Sequence, residues 1–236
     1  MQVDITHQPS YAHLVVDLDP GESILAEPGA MVSHSPEVSI ETSTTRGGLL
    51  SSARSMLGGE SAFANEFVAE HEPGRVTLAP PKPGDIAQHD LDSETLYAVD
   101  GAFLASDPAL DVSSEFGGLK SLLAGASITP LALSGTGTVF LEAFGGVERV
   151  DLDPGESYVV DNEHVVAWEE TVDFDARRVG GLKSTLLSGE GLVMEFTGGG
   201  SVWYQTRGLD AFTSVIAGAL PGVDSDGDGS GFEIDI

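Results

Sequence analysis

Three features of this chain have residue types and spacing that bear on chemistry: an aspartate-rich string near its end, six histidines, and two lysines that each follow a repeated glycine pair. The string Asp224-Ser225-Asp226-Gly227-Asp228-Gly229 carries oxygen donors at alternate positions, as the first half of a helix-flanked calcium loop does. Such a loop closes on a bidentate glutamate, and here that place holds Asp235, so the string reads as part of an acidic, solvated tail over 222–236. The histidines (His7, His13, His34, His71, His89 and His164) are scattered, without the pairing of a two-histidine, one-carboxylate site. His164 opens a strand and reads as structural. There is no cysteine, hence no thiolate nucleophile, disulfide or cysteine-based metal site. No serine stands in a Gly-x-Ser-x-Gly elbow, and no glycine-rich phosphate loop opens a helix. We therefore expect no catalytic residue, no cofactor, no metal and no enzymatic activity.

The glycine pairs are the organising feature. Gly47-Gly48-Leu49, Gly117-Gly118-Leu119-Lys120 and Gly180-Gly181-Leu182-Lys183 recur at intervals of roughly 60–70 residues, the length of a supersecondary unit of several strands. Paired glycines allow close approach of backbones. The leucines supply apolar contact surface, and Lys120 and Lys183 are two of only three lysines in the chain. These eleven residues are the candidate interaction loops, for a second subunit, a protein partner or the anionic headgroups of a membrane surface. Leu49-Leu50, Leu122-Leu123 and Leu186-Leu187 are too many apolar loops for one interior, which points to a homo-oligomer, a trimer in the simplest case.

Elements that could position these loops follow from turn chemistry. Asp19-Pro20-Gly21-Glu22 and Asp153-Pro154-Gly155-Glu156 are turns, with Asp92-Ser93-Glu94 as a shortened middle copy. Short alternating strands lie between turns: Tyr11 to Leu18, Ser23 to Ala26, Met31 to Ser33, Val38 to Thr42, Val165 to Trp168 and others. Hairpins are expected across Glu72-Pro73-Gly74, Ser134-Gly135-Thr136-Gly137 and Gly198-Gly199-Gly200. Leu209, Phe212, Val215, Ile216, Ala219 and Leu220 fall at helical spacing, giving one helix over 209–220 that could cover part of the leucine patch. The expected fold is a single all-β domain over 1–221. It comprises three pseudo-repeated units, about 18–90, 91–151 and 152–212, around a pseudo-threefold axis, with one C-terminal helix.

Charge is extreme: 38 acidic against 10 basic side chains, a formal charge of −28. In water that self-repulsion opposes compaction; in molar salt, with a Debye length of ~3 Å, it is screened. The composition suggests a halophilic origin and weighs against nucleic acid, which needs clustered cations. No apolar stretch approaches the ~20 residues of a membrane helix, and Met1 to Ser10 lacks the pattern of a signal peptide. The expected location is the cytoplasm, including the membrane periphery.

A set of strings points to one family: Glu27-Pro28-Gly29-Ala30-Met31, Arg46-Gly47-Gly48-Leu49, Gly101-Ala102-Phe103-Leu104, Phe116-Gly117-Gly118-Leu119-Lys120, Leu133-Ser134-Gly135-Thr136-Gly137, Val179-Gly180-Gly181-Leu182-Lys183-Ser184 and Val202-Trp203-Tyr204-Gln205-Thr206-Arg207. Over about residues 1–221 the chain resembles the altered inheritance of mitochondria protein 24 family, also called the mitochondrial biogenesis family. The resemblance implies a fold akin to the tryptophan RNA-binding attenuation protein, a relative of the double-stranded β-helix. It carries over no catalytic residues. Its fungal members are associated with inner-membrane organisation, which implies a scaffold role. A small-ligand-binding β module is the alternative reading, and an unrecognised β-barrel enzyme the next.

Overall fold

The structure, a computed structural model, describes residues 1–44, 63–113, 130–178 and 192–220. Period-two patterning dictates its strands. In β2 (His13–Leu18), following β1 (Gln2–Thr6), Leu14, Val16 and Leu18 point into the core while their neighbours face outward. The Asp19–Glu22 turn then reverses the chain. Asp19 N–H donates to Glu22 Oε2 (2.9 Å), Glu22 N–H donates to Asp19 O (2.9 Å), and Gly21 supplies φ 87°. The turn at Asp153 repeats this, with bonds of 3.0 and 2.9 Å and Gly155 at φ 85°.

The first turn leads into β3 (Ser23–Ala26), β4 (Met31–His34), β5 (Val38–Thr44), β6 (Phe63–Ala69) and β7 (Gly74–Leu78). Next come β8 (Gly84–Val99), β9 (Phe103–Ser106), β10 (Asp111–Ser113) and β11 (Pro130–Phe144). The last group is β12 (Val147–Leu152), β13 (Ser157–Asp161), a single 3-10 turn Asn162–His164, β14 (Val165–Glu169), β15 (Val172–Arg178), β16 (Leu192–Gly198) and β17 (Gly200–Gln205). One helix, α1 (Leu209–Ala219), follows, close to the expected 209–220. The described chain is thus mostly β.

Three antiparallel sheets result: β1-β2-β7-β4, β13-β16-β15, and a long path β12-β17-β14-β8-β11-β9-β3-β6-β5 with β10 also on β11. Buried side chains fall into three clusters, typified by Leu14, Ile24 and Phe67, by Leu96, Leu133 and Leu141, and by Trp168, Met194 and Phe196. One bulge recurs. β4 pairs β7, β9 pairs β11 and β14 pairs β17, and each register slips by one residue, at Val32, Leu104 and Val166 respectively.

None of the three expected hairpins forms. Strands β6 and β7 flank Glu72-Pro73-Gly74 but do not pair: β6 joins β3 and β5, and β7 joins β2 and β4. Likewise β16 joins β13 and β15, and β17 joins β12 and β14. Each turn is a corner that carries the chain from one sheet to another, so the hydrogen bonds of both strands go to partners distant in sequence. The third site, Ser134–Gly137, is no turn at all. β11 runs straight through it against β8, with a slip between Gly135 and Thr136 that skips Ser93 (φ 63°). Asp92-Ser93-Glu94, expected as a turn, is therefore a bulge inside β8. The glycines serve close approach instead: a Cβ on Gly137 would lie 2.9 Å from Asp107 Cβ.

Candidate functional site

The eleven expected interaction residues, Gly47, Gly48, Leu49, Gly117, Gly118, Leu119, Lys120, Gly180, Gly181, Leu182 and Lys183, lie outside the described residues, as does the string at 224–229. Their flanks are described. The first segment links β5 to β6, which pair with each other up to Thr44↔Phe63. The second links β10 to β11, paired through Ser113↔Ala132, and the third links β15 to β16, paired up to Arg178↔Leu192. Each glycine pair thus stands between two partnered strands.

A polar cluster that sequence reasoning missed sits where β3 meets β9. Glu142 on β11 is only 1% exposed. Lys82, held in the proline-stiffened loop before β8, puts Nζ 3.1 Å from Glu142 Oε1 and donates to Gly101 O at 2.8 Å. Glu27, just past β3, completes the group. Its N–H donates to Leu104 O (3.0 Å), and that of Glu142 donates to Ala102 O (2.8 Å), which holds the backbones of both residues against the start of β9. Burial, then the charge of Glu142, push Glu27 up to about 8; burial also raises Glu142, against the pull of Lys82. With its carboxyl near 8, Glu27 holds its proton at neutral pH, while Lys82 draws the Glu142 carboxyl back toward its charged form against the effect of burial. The arrangement stores a proton and clamps two strands. The available signal was Glu142 itself, a lone carboxylate within Val139-Phe140-Leu141-Glu142-Ala143-Phe144.

A second cluster pairs residue types that could suggest acyl transfer. Ser201 Oγ donates to Asp151 Oδ1 (2.8 Å), but it accepts from Arg149 Nη2 (2.9 Å), and Arg149 Nε also binds Asp151 (2.7 Å). The serine lone pair is thus engaged by a cation instead of a base, which leaves Oγ a poor nucleophile. Arg149 covers the Trp203 ring at 5.1 Å, and His89 meets that ring edge-on at 4.8 Å. Burial pushes the His89 imidazole down, toward its neutral form. His164, expected to open a strand, instead ends the 3-10 turn just before β14, with its Nδ1 2.7 Å from Gln205 O.

Apolar surface is left open in two kinds of place. Among the described residues strand β4 is bonded on one side only, and its Met31 and Val32 are 41% and 52% exposed. Strand β13 is likewise an edge, with Tyr158 and Val159 at 36% and 45%. Helix α1 buries none of its residues: Leu209, Val215 and Ile216 face outward, and Phe212 touches the sheet through Phe144, ring to ring at 5.1 Å. No helix among the described residues is long and apolar enough to cross a membrane.

Comparison with known proteins places this architecture. The family profile described as mitochondrial biogenesis AIM24 matches residues 3–207. The chain belongs to the mitochondrial biogenesis AIM24 family. The family match runs from within β1 to just past β17 and stops short of α1. An uncharacterised protein of Streptococcus pyogenes serotype M6 is 29% identical over 229 residues, 94% of this chain and 92% of that one. A Streptococcus pyogenes protein solved by X-ray crystallography is similar in fold, with a TM-score of 0.76 and 30% identity, covering 93% of this chain and 99% of its own.

Proposed function

We propose that the protein is a non-enzymatic, oligomeric scaffold or interaction protein. In this reading three equivalent β units, about 18–90, 91–151 and 152–212, are related by one repeated rotation. That is a pseudo-threefold arrangement like that of the tryptophan RNA-binding attenuation protein, with the last junction left unmade. The recurrent bulge at Val32, Leu104 and Val166 supports the equivalence of the units. The observation that carries the scaffold reading is the apolar surface at β4, β13 and α1, of a kind that monomers seldom leave open. The Gly-Gly-Leu segments add contact surface for a second subunit, a protein partner or a membrane surface. The net charge of −28 supports a halophilic origin and a partner other than nucleic acid. The place of work is the cytoplasm or its membrane periphery.

Light scattering in molar KCl tests the proposal. The wild type is expected at a multiple of 24.5 kDa at micromolar concentration. Leu119→Asp with Leu182→Asp is expected to lower that mass while circular dichroism stays unchanged. A monomeric wild type overturns the reading.

A further inference from the structure

We infer that copies of this chain join head to tail, the β4 edge of one pairing antiparallel with the β13 edge of the next. The inference rests on the oligomeric three-unit reading above and specifies its interface.

The chain makes the same strand junction twice within itself. β3 pairs β9 through Leu25↔Ser106 and Ala26↔Ala105. β8 pairs β14 through Tyr97↔Trp168 and Ala98↔Ala167. In both, the second strand contributes the residue right after its bulge, Ala105 or Ala167. In both, the first strand contributes a residue the same number of positions upstream of the bulge in its own unit: Ala26 stands to Ser33 as Ala98 stands to Ala105. The third member of the series is Val160, which stands so to Ala167. The junction it would make, with Ser33, is not formed: among the described residues β13 and β4 are the edges of two separate sheets.

Exposure tells the same story. All four residues of β9 are buried, as are Val165 to Trp168 of β14, whereas all four residues of β4 are exposed. Ser157, Tyr158 and Val159 of β13 are exposed too, although their counterparts in β3 and β8 alternate inward. An edge with free N–H and C=O groups and uncovered apolar side chains is a template for strand addition. The edge it fits is the one that the fold already fits twice. The register of the two internal junctions sets the contact as Val159↔His34 and Val160↔Ser33. Because the two edges differ, the contact is heterologous and gives a ring if it closes and a fibre if it does not.

The chain has no cysteine, so crosslinking tests the register directly. His34 and Val159 are both exposed, and directly opposed residues of an antiparallel pair come within reach of a disulfide. On oxidation in molar KCl, the His34→Cys, Val159→Cys double variant is expected to form covalent dimers and higher species. Each single variant alone is expected to stay monomeric on a non-reducing gel, and a mixture of the two to stop at a dimer. Thiols consumed at monomer mass would mean that the edges close within one chain, and would overturn the inference. A single variant that dimerises with itself would overturn it too. If no crosslink forms while light scattering still shows an oligomer, the interface is wrong and the scaffold reading stands. If light scattering shows a monomer, both fall.

Discussion

At the scale of the residue, the Glu27–Lys82–Glu142 cluster links pH to stability. The unfolded Glu27 carboxyl titrates near 4.5 and the folded one near 8. Between those values the native state holds a proton that the unfolded chain has released. The contribution of this group to stability is therefore complete below pH 4.5 and is lost as pH rises through about 8. Glu27→Gln keeps the hydrogen bond of the protonated form without the titration. Denaturant midpoints in molar KCl should fall between pH 5 and 9 in the wild type and stay flatter in the variant. The difference at the alkaline end should be of order 1–2 kcal/mol, after allowance for partial exposure. Equal slopes would show that the carboxyl ionises freely in the fold. Lys82 was visible in the sequence as the one of three lysines that stands in a proline loop. Its partners were not, because they belong to strands brought together only by tertiary pairing.

At the scale of the element, glycines with the same local look do opposite work. Gly84 lies against β11, and a Cβ there would stand 1.7 Å from Ala143 O. The obstacle is backbone, so Gly84→Ala should destabilise by about 3 kcal/mol or more, read as a lower denaturation midpoint. Gly218 in α1 has nothing within 4 Å of an added Cβ. Gly218→Ala should raise helicity, with up to about 1 kcal/mol of added local stability. A tolerated Gly84→Ala would contradict the close pairing of β8 with β11. The same contrast explains what the sequence conveyed. Asp19-Pro20-Gly21-Glu22 was legible because φ limits and one side-chain bond fix it locally. Glu72-Pro73-Gly74 was legible as a turn yet not as a corner, because partner choice by β6 and β7 depends on strands far along the chain. Gly135 and Gly137 imitate a hairpin loop, although what they accommodate is the segment 107–110, backbone and side chains at Gly135 and the side chains of Asp107 and Leu110 at Gly137.

At the scale of the whole molecule, 38 acidic against 10 basic groups make the compact state an electrostatic burden that salt relieves. Circular dichroism across a KCl series should show cooperative folding only toward molar concentrations. Full structure in low-salt buffer would count against a halophilic origin. The chain's topology sets a different kind of limit. β8 and β11 are the two longest strands, and they lie against each other from Gly84↔Phe144 to Val99↔Pro130, interrupted only where Ser93 bulges out. The first and last groups of strands turn corners between sheets; this pair does not. Its amide protons should therefore be the last to exchange with deuterated solvent. Opening at β4, β13 or α1 would proceed around a spine that gives way only when the entire protein does.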